Sequence, residues 1–328
     1  MIDIDTYNDE PNFSVIVPSK CEMRCSFCSN PGVGDDGNPP EAWMEKLGKI
    51  IWQLPPKFRS VSITGGEPTT WSSFDPLMFM LRKRFAKVVV STNGVKLGAM
   101  GFALRWANDV NLSWHGIGVV EASKAFGVGV DHPDSNAIQY LRKNGTGVTL
   151  VWVITPDTEF DGARALQYAE LGRMWGCSAV AFRYDMHQSD GLEGNWIPAL
   201  GPSVTLVSDD ECPVCRTWRY DRRGFPMLFK ASVVEPHDAL DSAYELIYTA
   251  DGVLSTTWDG SHPVGYGEDE MKESDSARLD RIEEMLMRLL GVEGEQIHPK
   301  ARKEPRVHHV RHESSGGGGS CYGSGGHC

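Results

Sequence analysis

The chain has 328 residues, 41% of them hydrophobic and 23% charged, an ordinary globular balance with room for one large domain and additions or for two modest ones. No apolar run nears the roughly 18 residues that a bilayer crossing needs, and the acidic start MIDIDTYNDEPNF has no apolar signal region, so a cytoplasmic protein without a membrane span is expected. The net charge of −12 argues against a nucleic-acid coat over the whole surface, though not against a local basic site.

In chain order, residues 13–18 (FSVIVP) read as a buried strand that runs straight into a cysteine cluster. A helical pattern follows over 41–54, with Pro39 and Pro40 suited to its start. Residues 61–64 predict a short strand ending at Gly65-Gly66, and 74–85 a helix. Residues 87–92 (KVVVST) predict a third strand, stopped by Asn93-Gly94. Helix 99–107, strand 109–115, helix 135–143, strand 146–155, helix 163–175 and strand 178–186 complete the series. Six strand-then-helix units in succession imply a parallel sheet with helical crossovers. They fit a partial (β/α)6 barrel of the TIM type better than a closed eight-stranded one.

Past residue 205 the pattern changes. Residues 227–234 and 244–258 read as strands, with Ala250-Asp251-Gly252 a hairpin turn in the second. Residues 276–290 predict an amphipathic helix, with Leu279, Ile282, Leu286 and Leu289 on one face. From 313 the chain is rich in Gly and Ser and is expected to be flexible. The expected organisation is therefore a barrel over 1–205, a small β-containing extension over 206–297, and a basic, then Gly/Ser-rich tail over 298–328.

Eight cysteines in such a chain point to metal or redox chemistry rather than a disulfide framework. Cys21, Cys25 and Cys28 place three thiols within eight residues, on a loop directly after a strand. Three thiolates on a four-iron cubane leave one iron open, free to bind a small molecule. The competing reading is zinc, which in a structural site needs a fourth ligand and usually paired C-x2-C spacing.

Phe27 stands immediately before the third cysteine, and Thr64-Gly65-Gly66-Glu67-Pro68 and Ser91-Thr92-Asn93-Gly94 follow at the ends of the next two strands. CEMRCSFC, ITGGEP and STNG, in that order, resemble the radical S-adenosylmethionine (radical SAM) superfamily over about residues 13–186. The resemblance implies a [4Fe-4S] cluster on Cys21, Cys25 and Cys28, whose open iron chelates the methionine end of SAM. One-electron reduction then yields a 5′-deoxyadenosyl radical that abstracts hydrogen from a substrate. It also implies an external reductant such as flavodoxin or ferredoxin. The positions matching the family's SAM contacts are Phe27, Gly65, Gly66, Glu67, Pro68, Ser91, Asn93 and Ser113.

Candidates for work on the substrate are His115, Arg183 and Asp185, polar residues near the ends of the fourth and sixth strands. A second metal site is open to Cys212, Cys215, Cys321 and Cys328, for zinc or another iron–sulfur cluster. The substrate is expected to be a peptide or protein side chain, with a small molecule or nucleobase as the alternative. A non-catalytic zinc or iron–sulfur sensor module is the rival of another class. Nucleic acid has a foothold only in the basic segment 298–312.

Overall fold

The computed structural model describes residues 7–31, 33, 40–184, 197–212, 215–232, 243–258 and 260–265. The expected helix over 276–290 and the tail lie outside the described residues. Among the described residues no helix is long and apolar enough to cross a membrane.

The six predicted strands are present as β1 (Tyr7–Val17), β2 (Ser60–Gly65), β3 (Lys87–Thr92), β4 (Asp109–Ser113), β5 (Gly147–Ile154) and β6 (Ala179–Tyr184). They pair in sequence order, every neighbour parallel. Helices α1 (Pro40–Gln53), α2 (Phe74–Arg84) and α3 (Leu97–Leu104) make the first three crossovers. The fourth crossover carries two helices, α4 (Val119–Phe126) and α5 (Ser135–Lys143), of which only the second was expected. The first is a short helix stopped by Gly127, whose φ of 66° needs a residue without Cβ strain. Helix α6 (Gly162–Trp175) leads into β6.

The sheet does not end there. Strands β7 (Thr205–Cys212), β8 (Cys215–Arg222) and β9 (Phe225–Ser232) form an antiparallel meander, and β9 joins β6 in parallel. Strand β10 (Ala243–Tyr248) joins the other edge, parallel to β1, and turns back through Gly252 into β11 (Leu254–Ser255). Among the described residues the result is one open sheet of 11 strands in the order β11-β10-β1-β2-β3-β4-β5-β6-β9-β8-β7. The β7–β8 hairpin was not predicted. Its sequences, TLVSDDEC and CRTWRYDR, are so polar that an edge hairpin leaves little hydrophobic alternation to read.

Alternation divides the strands cleanly. Val148, Leu150, Trp152 and Ile154 of β5, Val180 and Phe182 of β6, and Met227 and Phe229 of β9 join the apolar core. Phe182 stacks on Phe229 at 4.8 Å and touches Phe160 and Tyr168. Ser14, Ser62, Asn111, Thr149 and Lys230, on the opposite register, are buried and polar. The barrel is partial, and its inner face mixes those polar residues with Ile16, Val89, Val151 and Ala181.

Candidate active site

Every strand end that carries a predicted motif points the same way, because β1, β2, β3 and β4 are parallel. The cysteine loop leaves β1 and is held from two sides. On one side, Glu67 N–H donates to Lys20 O at 3.3 Å, and Thr70 Oγ1 donates to the same carbonyl at 3.1 Å. On the other, Arg24 N–H donates to Phe126 O at 2.7 Å, at the end of α4.

The two glycines are dictated by this contact. A Cβ on Gly66 would stand 1.9 Å from Ser19 O, and one on Gly65, whose φ is 149°, 2.4 Å from Val17 O. Both obstacles are backbone, so no side-chain movement relieves them. Pro68 is buried at the start of a 3-10 turn over Pro68–Thr70.

Glu67 is buried, and four donors converge on its carboxylate. Thr69 N–H at 3.1 Å, Thr69 Oγ1 at 2.5 Å and Thr92 Oγ1 at 2.6 Å reach one oxygen; Asn93 N–H at 2.6 Å reaches the other. Burial raises its pKa, and the bonds from Asn93, Thr69 and Thr92 pull it back. Glu67 therefore ties the loop after β2 to the end of β3. Thr92 belongs to this latch, a role that alternation along the strand did not reveal.

The latch presents Asn93 to the cysteines, with its Nδ2 3.9 Å from Cys21 Sγ. Cys21 is exposed, and Cys25 and Cys28 are half-buried. Burial first, then Cys28 and Cys21, pushes the Cys25 thiol up to about 12; burial also raises Cys21, with Glu67, Glu22 and Cys28 adding to it. Among the described residues no three ligand side chains are gathered as closely as a single metal ion requires. A cubane asks for wider spacing, because each thiolate takes a different iron. Three free thiols on one short loop supply the ligand set of that cluster.

Ser91 and Ser113, on the inner register of β3 and β4, are half-buried. Phe27 lies edge-on to His115, ring centroids 4.8 Å apart, and His115 in turn meets Phe126 at 5.0 Å. His115 is buried, its Nδ1 accepts from Val153 N–H at 3.1 Å, and desolvation lowers its pKa to about 3. It is a neutral packing partner for Phe27 at neutral pH. Arg183 stands on the inner face near the end of β6. Asp185, Cys321 and Cys328 lie outside the described residues. Cys212 and Cys215 are backbone partners where β7 meets β8.

Residues 15–167 match the family model described as the Radical SAM superfamily. No curated protein matches the chain's sequence. Among solved structures the chain is similar to SuiB of Streptococcus suis, with 15% identity and a TM-score of 0.53 over 82% of this chain and 66% of that one. A second structure of SuiB, bound to the precursor peptide SuiA, gives 20% identity and a TM-score of 0.46 over 55% of this chain and 40% of that one. Coproporphyrinogen III oxidase (HemN) from Escherichia coli gives 16% and 0.39, over 56% of this chain and 46% of that one. In each case the match spans less than two thirds of the other protein. At these identities the likeness to SuiB is one of fold.

Two outcomes test this geometry. In Glu67→Gln, either orientation of the amide sets an NH2 group against a backbone N–H, of Thr69 or of Asn93. Stability should fall by about 1–3 kcal/mol, read from urea denaturation; an unchanged midpoint would refute the latch. His115 gives a pH signature. Its folded pKa of about 3 lies below the ordinary 6.5, so as pH falls through 6.5 the unfolded state takes up the proton first. Stability should then drop by up to about 1.4 kcal/mol per pH unit, until the folded pKa is reached. His115→Phe lacks that component and should lose less between pH 7.5 and pH 5; equal losses would mean that His115 is solvated.

Proposed function

We propose that the chain, whose residues 15–167 match the radical SAM superfamily of iron–sulfur, SAM-dependent enzymes, reductively cleaves SAM to start a hydrogen abstraction. The observation that carries this reading is the convergence of three loops at one end of the sheet. Cys21 meets Asn93 Nδ2, Gly65 and Gly66 lie against the stem of the cysteine loop, and Glu67 locks that arrangement.

Cys21, Cys25 and Cys28 hold the cluster, and Gly65, Gly66, Ser91, Asn93 and Ser113 line the place for SAM. When bound, the two supply one-electron cleavage of a sulfonium and a 5′-deoxyadenosyl radical. The protein's own residues position and shield. Gly65 and Gly66 leave the backbone bare for close approach. Phe27 is braced by His115, which itself packs on Phe126. We favour a peptide or protein side chain as substrate, because among the described residues the sheet does not close between its edge strands β7 and β11, an arrangement that suits a long chain.

Anaerobically reconstituted protein should release 5′-deoxyadenosine and methionine from SAM on dithionite reduction, and Cys25→Ala should release neither. Cluster-loaded wild-type protein that yields neither product would sink the enzymatic reading in favour of a binding or sensor module.

The hairpin end that pairs Cys212 with Cys215 supports a second metal site, with Cys321 and Cys328 as its further ligands. Metal analysis of a Cys212→Ser/Cys215→Ser variant reads it directly. Loss of about four irons per chain indicates a second cluster, loss of one zinc a structural site, and an unchanged metal content no site there.

A further inference from the structure

One helix of the outer layer turns an apolar face to solvent. Helix α3 (LGAMGFAL) has no charged side chain between Leu97 and Leu104. A helix of that composition is ordinarily covered on all sides. Here Leu97, Gly101, Ala103 and Leu104 are buried, whereas Phe102 is 56% exposed and Ala99 is exposed as well. Val95, 52% exposed in the turn before the helix, and the half-buried Trp106 just after it continue the row. The spacing of Val95, Ala99, Phe102 and Trp106, at i, i+4, i+7 and i+11, puts them on one face. Phe79 of helix α2 widens that face, edge-on to Trp106 with ring centroids 6.3 Å apart.

Cations border the row. Arg105 lies over the Phe102 ring at 3.7 Å and over Trp106 at 5.3 Å, and Lys83 lies over Phe79 at 5.0 Å. Lys96 is exposed at the start of the helix. None of the three is in an ion pair among the described residues, although the chain carries 44 carboxylate side chains against 32 Lys and Arg. Two carboxylates stand on the neighbouring helices. Asp134 is taken up in capping α5 through Asn136 and Ala137 N–H, and Asp75 opens α2. The row begins beside the cysteine loop. Val95 N–H donates to Asn93 Oδ1 at 3.0 Å, and Asn93 Nδ2 lies 3.9 Å from Cys21 Sγ. Cys21 is exposed, and so is Lys20 before it.

We propose that the α3 face, from Val95 to Trp106, docks an acidic one-electron carrier protein that reduces the cluster. Aromatic and arginine side chains are the groups that anchor protein interfaces, and a contiguous exposed apolar face marks one. A rim of unpaired cations on an acidic molecule selects a partner of opposite sign and steers its approach. Reductive cleavage of SAM consumes one electron, which the carrier loses and the cluster gains, with no bond made or broken between the two proteins. Electron tunnelling falls off steeply with distance, so the carrier must seat beside the cysteines, where the row begins. The role in electron entry rests on the proposed SAM chemistry; the docking face itself does not.

The test uses full-length reconstituted protein at low ionic strength, with flavodoxin and ferredoxin as probes in titration calorimetry. At least one carrier should bind, and more weakly as salt is added. Phe102→Asp should weaken binding about tenfold or more, and Lys96→Glu and Arg105→Glu about threefold or more each. Arg223→Glu, in the exposed turn between β8 and β9, should bind as wild type does. Circular dichroism checks each variant, and if Arg105→Glu fails to fold, Phe102→Asp and Lys96→Glu decide. Dithionite needs no docking, so each variant should keep its dithionite-driven yield of 5′-deoxyadenosine within about twofold and lose the yield driven by the carrier. Binding of neither carrier, or undiminished binding in the folded variants, overturns the face. Sedimentation checks the other occupant: a wild-type dimer that Phe102→Asp turns into a monomer gives the face to a second copy and ends the carrier role. Wild-type protein that binds a carrier yet yields no 5′-deoxyadenosine with dithionite would remove the enzymatic reading and leave the docking face standing.

Discussion

The carboxylate of Glu67 receives four hydrogen bonds out of contact with solvent, and the rest of the site is arranged around that convergence. Its donors come from the turn after β2 and from the end of β3, so two loops that the chain separates by a whole helix are held as one surface. The same turn leans on the stem of the cysteine loop through Lys20 O, so close that neither Gly65 nor Gly66 has room for a Cβ. A buried carboxylate is costly without partners, and this one has a donor on each oxygen. Charge-assisted bonds of this kind are strong and directional. They hold Asn93 beside Cys21.

The parallel sheet supplies the second constraint. Parallel strands send all their C-terminal ends to one side, so loops far apart in sequence meet without any special folding of the loops themselves. Alternation along each strand then assigns every side chain to one of two environments. The outer set buries aromatic and branched residues under the helices, and the inner set mixes polar residues with a few apolar ones such as Val89 and Val151. His115 shows how the two are joined: it is desolvated among rings, keeps one bond to the β5 backbone, and transmits the position of that strand to Phe27.

Strand identity was legible wherever burial on one or both faces left an apolar run, as in KVVVST and GVTLVWVI. It was less legible in β7 and β8, where polar residues outnumber the apolar ones and only Trp218 and Tyr220 of β8 mark the face turned to the core. Helix α4 was missed for a related reason: it is two turns long, too short for its periodicity to stand out, though Gly127 marks its end. Within the site, the cysteines, glycines and Asn93 were named from motifs. Thr69 and Thr92 were not, because a hydroxyl on a strand or turn carries no sign of the partner it will meet.

The cysteine loop, with the motifs that follow it, is the part of this protein that the sequence by itself determined, because spacing within a loop and order along the chain are local properties. Six strand-helix units and their direction follow from the same local patterns. Which strands close the edges of the sheet was decided only in three dimensions. β9 reaches β6, and β10 reaches β1, by pairings that span long stretches of chain. So was the meeting of Arg183 with Lys230, 47 residues apart in the numbering, since register across a parallel pair depends on how the whole sheet assembles. A charged residue in an apolar strand announces that something is unusual. What it faces is set by its neighbours across the sheet.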